Sequence, residues 1–255
     1  MRLLNTTAEA GVSFPKLSLS IATTREEVRE VQRLRYKVFI EAMGLNALAN
    51  DDGLDADEYD AHCDHLIVRD TSTLKVVGTY RLLSPSAARE IGRFYSEGEF
   101  DLTRLGNIRS RMVEAGRACI HPDYRSGGVI MLLWAGIAAY MRRERCEYLI
   151  GCASISLADG GHNAVAVCQA LSETHLAPPE YRVTPHVPFP IHDLHAEQPV
   201  QVPALLKGYM RSGAWICGDP AWDADFNSAD LFLLLPLDRL DERYARRYMK
   251  DGSAA

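Results

Sequence analysis

One junction limits what this chain can fold into more than any other. Arg111 to Ile120 reads as a strand and Pro122-Asp123 as a turn. Arg125-Ser126-Gly127-Gly128 then opens directly into an apolar helix from about Val129 to Arg145, and Tyr148 to Ser156 follows as a buried strand. A glycine pair between a strand and a helix exposes backbone N–H groups at the positive end of the helix dipole, so the loop offers a seat for an anion such as a phosphate. Arg125 adds charge, and from Arg104 to Arg125 five arginines stand against Glu114 and Asp123. Taken alone, the loop reads more readily as a tight turn beside a solvated arginine. The chain as a whole has a net charge of -6, which disfavours nucleic acid as a partner.

The rest of the chain supplies a mixed set of elements. Residues 1–16 show no periodicity and read as a flexible arm, and 17–255 as a single domain with a C-terminal extension. Leu17 to Ile21 alternates as a strand does. Thr24 with Glu27 forms a capping box, and Val28, Val31, Leu34 and Val38 recur at helical spacing to about Phe39. His65–Arg69 and Lys75–Leu83 flank a turn of Asp70 to Thr73, which predicts an antiparallel hairpin. Ser86–Tyr95, Asn163–His175 and Pro203–Arg211 read as helices. Trp215–Gly218 and Phe232–Leu235 read as strands before a basic tail with Arg243, Arg246 and Arg247. The fold class is therefore α/β (α+β), a mixed sheet with helices.

Metal and redox chemistry find little support. The six cysteines include no CxxC pair and read as free thiols, mostly small apolar fillers. His186, His192 and His195 lie among prolines, which suggests an extended loop rather than a ligand-bearing helix, and no metal ligand is assigned. The apolar run from Val129 to Met141 is shorter than the roughly 18 residues of a bilayer span. Neither a secretory signal nor a transit peptide is evident, and a cytoplasmic setting is expected.

Several segments resemble known families. Arg125-Ser126-Gly127-Gly128-Val129-Ile130 resembles the GNAT superfamily motif Arg/Gln-x-x-Gly-x-Gly/Ala, with Ile130 in place of the small final residue. Closer still is the acyl-carrier-protein-dependent branch that includes autoinducer synthases and N-acyl amino acid synthases. That resemblance rests on Arg35 and Phe39 in Leu34–Phe39, the pair Asp57 and Asp60, Arg81 in Gly78–Leu83, and Glu114 with Arg117. The segments 203–209 (PALLKGY) and 218–223 (GDPAWD) are similar to the ornithine N-acyltransferases of ornithine-lipid synthesis.

The resemblance implies a GNAT fold, a mostly antiparallel sheet flanked by helices with two central strands splayed apart. It implies transfer of a 3-hydroxyacyl group from acyl carrier protein to the α-amine of L-ornithine, giving lyso-ornithine lipid. Arg125, Gly127 and Gly128 would seat the donor's phosphopantetheine, and no cofactor would be permanently bound. A protonated amine must lose a proton before it can attack a thioester, and Glu114 is the candidate base, with Arg117 beside it. A Glu114–Arg117 ion pair of purely structural use competes with that role. Because the two are three residues apart in a strand, sharing a site requires a break near Gly116. Asp57 and Asp60 are candidates for the acceptor's amines, against a solvated acidic loop. Arg35 and Arg81 either hold the acceptor's carboxylate or, the favoured role, order that loop. A fatty product makes peripheral contact with the inner membrane an expectation. The alternatives are synthesis of another N-acyl amino acid or of an acyl-homoserine lactone, or a non-catalytic acyl-binding regulator.

Overall fold

The computed structural model describes residues 17–41, 49–191, 193–196 and 199–240. The expected arm and the tail arginines lie outside them. In chain order the elements begin with β1 (Leu17–Ile21), α1 (Arg25–Tyr36), β2 (Asp64–Asp70), β3 (Val76–Leu83), α2 (Pro85–Ile91), β4 (Phe100–Asp101) and β5 (Met112–Ile120). They continue with α3 (Gly128–Glu144), β6 (Tyr148–Ser156), α4 (His162–His175), β7 (Thr184–Pro185), α5 (Ala204–Ser212), β8 (Trp215–Ile216), β9 (Ala221–Asp223) and β10 (Ser228–Pro236). They divide into two compact units: 17–87 with 115–145, and 88–114 with 146–240.

In the first unit β1 pairs antiparallel with β2, β2 antiparallel with β3, and β3 neighbours β5. The hairpin and the capping box are present as the sequence predicts: Thr24 Oγ1 accepts from Glu27 N–H at 3.2 Å, and Glu27 Oε2 accepts from Thr24 N–H at 3.2 Å. The first helix departs from expectation at its end. Regular α geometry stops at Tyr36, and Lys37–Glu41 forms a wider π-helical turn that buries Val38 and Ile40. Phe39 packs against a buried cluster of Leu34, Val38 and Cys119. Helix α3 lies against β1, β2 and β3, and two glycines permit the approach. A Cβ on Gly136 would stand 3.0 Å from Leu66, and one on Gly78 would stand 2.2 Å from Cγ1 of Val129.

The second unit is built on the long antiparallel pair β6–β10, which runs from Tyr148↔Pro236 to Ser156↔Ser228. The other edge of β10 takes β8 and β9, also antiparallel, and β4 pairs with β7. The start of β5 pairs parallel with β6, for only three residues, ending at Glu114↔Ile150. Strand pairing is thus mixed and mostly antiparallel, with helices alongside. Both partners of the parallel ladder run on past its end, β5 to Ile120 and β6 to Ser156. A break in regular pairing is expected near Gly116; β5 is a strand throughout Met112–Ile120, its ladder with β6 ends at Glu114, and within it Arg117 has a left-handed φ of +50°, costly for a residue with a long side chain.

The Gly78 contact yields a test. Gly78→Ala should destabilise the protein by about 1–3 kcal/mol through overpacking against α3, and Val129→Ala in the same chain should restore part of that loss. Denaturant unfolding of the single and double variants measures both.

Candidate active site

Two groups of charged side chains stand out, one in each unit, and they meet the cost of burial in opposite ways. In the first unit, Arg35 from α1 is 1% exposed and forms a bidentate pair with Asp60, 2.9 Å from Nη1 to Oδ1 and 2.6 Å from Nη2 to Oδ2. The same guanidinium meets Asp55 through its carboxylate at 2.8 Å and through its backbone carbonyl. Arg81, from β3, reaches Asp57 at 2.5 Å and Asp60 at 2.9 Å. Arg117, from β5, approaches Asp55 at 3.6 Å and Asp57 at 3.4 Å. Gln32 donates to Asp60 at 2.8 Å. Three arginines therefore face three aspartates, and the cluster is neutral.

That balance is visible in the proton affinities. Burial alone would favour the neutral form of Asp60, but hydrogen bonds and charge from Arg35, with Arg81 behind, hold its carboxyl well below the usual range. Burial works against the charge of Arg81 too, and Asp57 more than offsets it, raising that pKa. Asp57 also caps the one-turn helix Glu58–Ala61, accepting from Tyr59 N–H at 3.0 Å. The acceptor positions of Asp60 are thus occupied by Gln32, Arg35 and Arg81. Arg35 and Arg81 occupy the geometry of the loop-ordering role. Asp57 keeps partial exposure, at 23% of its side chain.

The diglycine loop opens α3 where the sequence implies. Gly127 caps α3 with φ +100°, a conformation that favours glycine, and buried Gly128 is the first helical residue. Arg125 stands exposed at the end of the short helix Pro122–Tyr124.

Glu114 belongs to the second unit, at the last residue pair of the parallel ladder, and is 4% exposed. Its Oε2 accepts from Tyr95 N–H at 2.6 Å, and its Oε1 accepts from Ser96 N–H at 2.8 Å and from the Ser96 hydroxyl. Consecutive N–H groups of a tight turn form an anion cradle, and here the carboxylate fills it.

Beside it lies a group that sequence reasoning missed. One oxygen each from Glu99, Asp223 and Asp230 lie within 4.8 Å of one another, close enough to share a cation. Asp230 accepts from Ser228 Oγ at 2.7 Å and also bonds Ser154. Glu99 Oε2 is shut away from solvent with no hydrogen-bond donor among the described residues. Burial, then the charges of Asp230, Asp223 and Glu114, push the Glu99 carboxyl up to about 8. Asp230 is raised as well, chiefly by burial. Asp223 ends the 218–223 segment already singled out for its resemblance, which was the one available signal. Nothing in sequence spacing brings Glu99 to it. The six cysteines are all free, and burial pushes the Cys168 thiol up to about 12, far from nucleophilic.

Comparison with known proteins places this geometry. A family model described as an acetyltransferase (GNAT) domain matches residues 34–135, a stretch holding every candidate residue named from the sequence. The AHL synthase LasI has a solved structure with TM-score 0.54 at 13% identity, covering 94% of this chain and 98% of that one. The CoA-dependent acyl-homoserine lactone synthase BjaI gives 0.50 at 16%, covering 87% and 83%. Such identities speak for the fold, and fold and domain match together define the class, a GNAT acyltransferase. At sequence level, L-ornithine N(alpha)-acyltransferase of Brucella abortus (strain 2308) is 35% identical over 91% of this chain and 88% of its own length. The namesake from Rhodobacter capsulatus is 34% identical over 91% and 94%. The chain belongs to the L-ornithine N(alpha)-acyltransferase family. No described helix is long and apolar enough to cross a membrane.

The raised Glu99 fixes the sign of a pH effect. A carboxyl with a folded pKa above its unfolded value contributes stability that is complete below the ordinary carboxylate range and is lost as pH rises through about 8. Thermal midpoints should therefore fall between pH 5 and pH 8 more steeply in the native chain than in Glu99→Gln. Parallel curves would show that the carboxyl titrates normally.

Proposed function

We propose that the enzyme transfers a 3-hydroxyacyl group from the phosphopantetheine thioester of acyl carrier protein to the α-amine of L-ornithine, forming lyso-ornithine lipid. The names of the relatives support the acceptor. The observation that carries it is the carboxylate trio, three clustered acids with no salt-bridging cation among the described residues. Ornithine has two amines, one to react and one to remain charged. Glu99, Asp223 and Asp230 offer the second ammonium charge-assisted contacts. Asp223 and Asp230 lie outside the stretch matched by the general acetyltransferase domain, as residues for an acceptor particular to one branch would.

The chemistry follows from ordinary acid–base behaviour. Glu114, as the carboxylate, accepts a proton from the α-ammonium, directly or through one water. The freed amine attacks the thioester carbon, and the tetrahedral adduct collapses with cleavage of the C–S bond, the second proton of the nitrogen passing to the departing thiolate or to water. The departing thiol ionises near pH 8.5, so its thiolate needs no assigned acid. Arg125, Gly127 and Gly128 would take the phosphate of the donor arm, and the carrier protein, acidic as a class, would meet Arg125. Arg35, Asp60 and Arg81 hold the 55–61 loop in shape, and Asp57 with Arg117 forms the exposed margin of that cluster. A cytoplasmic site of action with peripheral membrane contact fits a product bearing one fatty chain.

Mass analysis of products from the purified protein, a 3-hydroxyacyl carrier protein and a mixture of amino acids tests the acceptor. N-acyl ornithine should dominate, whereas a different acylated amino acid or a lactone as main product would refute the assignment. Glu114→Gln should lower kcat by about 10²–10⁴-fold. Asp223→Asn should instead raise the KM for ornithine and erode its preference over amino acids with neutral side chains, leaving kcat at saturation largely intact.

A further inference from the structure

The turn that holds Glu114 is better constructed than a connection between helices requires. Ser96 is 0% exposed and gives the carboxylate two hydrogen bonds, one from its backbone and one from its hydroxyl. That hydroxyl in turn accepts from the Cys152 thiol of β6, with sulfur and oxygen 3.3 Å apart. The turn itself is clamped. Glu97 takes Arg109 in a two-point contact at 2.7 and 2.6 Å and accepts from Phe94 N–H at 2.6 Å, while Arg109 lies over the Phe94 ring at 4.9 Å. His186 pins the following residues, its ring bonding Glu97 O at 3.1 Å and its N–H donating to Glu99 O at 2.8 Å.

A buried hydroxyl with one proton to donate and a thiol donating to it can face only one way. The Ser96 proton is committed to Glu114, and the bond strengthens as the carboxylate becomes fully charged. We infer that Ser96 is a positioning residue for the acyl transfer, fixing the aim of Glu114 and tuning its basicity through the Cys152–Ser96–Glu114 chain. This rests on the reading of Glu114 as the base. Three donors from one turn hold the carboxylate in one orientation. A purely structural serine would not make basicity depend on its hydroxyl.

The test compares Ser96→Ala, Ser96→Thr and Glu114→Gln in the full chain, with kcat and KM followed against pH. Removing a donor to a charged carboxylate disfavours that form, so Ser96→Ala should move the acidic limb of kcat/KM upward by about one pH unit. It should also lower kcat while leaving the KM of the acyl carrier protein donor within about twofold. Ser96→Thr, which restores the hydroxyl, should return the limb to its native position even if its added methyl costs stability. An unmoved limb in Ser96→Ala, or a moved limb that Ser96→Thr fails to restore, overturns the positioning role while Glu114→Gln still reports on the base. Full turnover in Glu114→Gln overturns the reading of the base itself, whatever the serine variants do.

Discussion

Asp60, Glu114 and the trio of Glu99, Asp223 and Asp230 all draw carboxylates out of water, and a charge in that position must be given a countercharge, dipolar donors or a proton. Each of the three answers is used once. Asp60 has two arginines and an amide, a combination so complete that nothing is left to offer a ligand. Glu114 has three donors from one turn. The trio has hydroxyls on one member and, for Glu99, a carboxyl that keeps its proton to about pH 8. Scaffold, proposed base and proposed acceptor site are thus separated by how each acid is compensated, a distinction that residue type alone does not make.

The same economy explains β5. Its first three residues are tied to β6, where a buried carboxylate benefits from a rigid backbone, and Glu114 is the last of them. Three residues further on, Arg117 adopts a left-handed φ of +50° at a cost of order 1–3 kcal/mol. The strain has an evident return in its own unit: the side chain is delivered to Asp55 and Asp57, completing the third arginine of the neutral cluster.

Much of this was legible from local chemistry. The Thr24–Glu27 capping box, the Asp70–Thr73 hairpin turn and the helix beginning at the diglycine loop are signals confined to a few consecutive residues, and each appears where the sequence puts it. Arg35 and Arg81, singled out through the family resemblance, do make bidentate or paired contacts with Asp55, Asp57 and Asp60. What escaped were juxtapositions set by the sheet. Glu99 follows a one-turn helix, Asp223 closes a three-residue strand and Asp230 lies inside β10. Only the antiparallel pairing of β9 with β10, which sets Asp230 opposite Ala221, brings two of them near each other. Ser96 escaped for a different reason: a buried serine in a short turn carries no periodicity at all. The π-helical turn after Tyr36 was likewise invisible, since Val38 satisfies ordinary helical spacing and only the burial of Ile40 reveals the wider winding.

The trio also bears on why a diamine suits this site better than a simple amino acid. In the proposed reaction a monoamine acceptor brings one ammonium and loses its charge: a proton would pass to Glu114 and the nitrogen would end as a neutral amide. Three acids would then hold a neutral product with no cation to balance them. Ornithine's second ammonium, with the high intrinsic pKa of an alkylamine, about 10.4 by analogy with lysine, stays charged before, during and after transfer. Its presence would favour ionisation of Glu99 and Asp230, the charge contacts offsetting the cost of removing protons from carboxyls that burial keeps protonated. A neutral side chain in the same position would leave those carboxyls protonated or their charges unpaired. Discrimination of this kind arises from burying polar groups that the wrong substrate cannot satisfy, and it is larger than any preference a hydrophobic pocket of the same size could enforce.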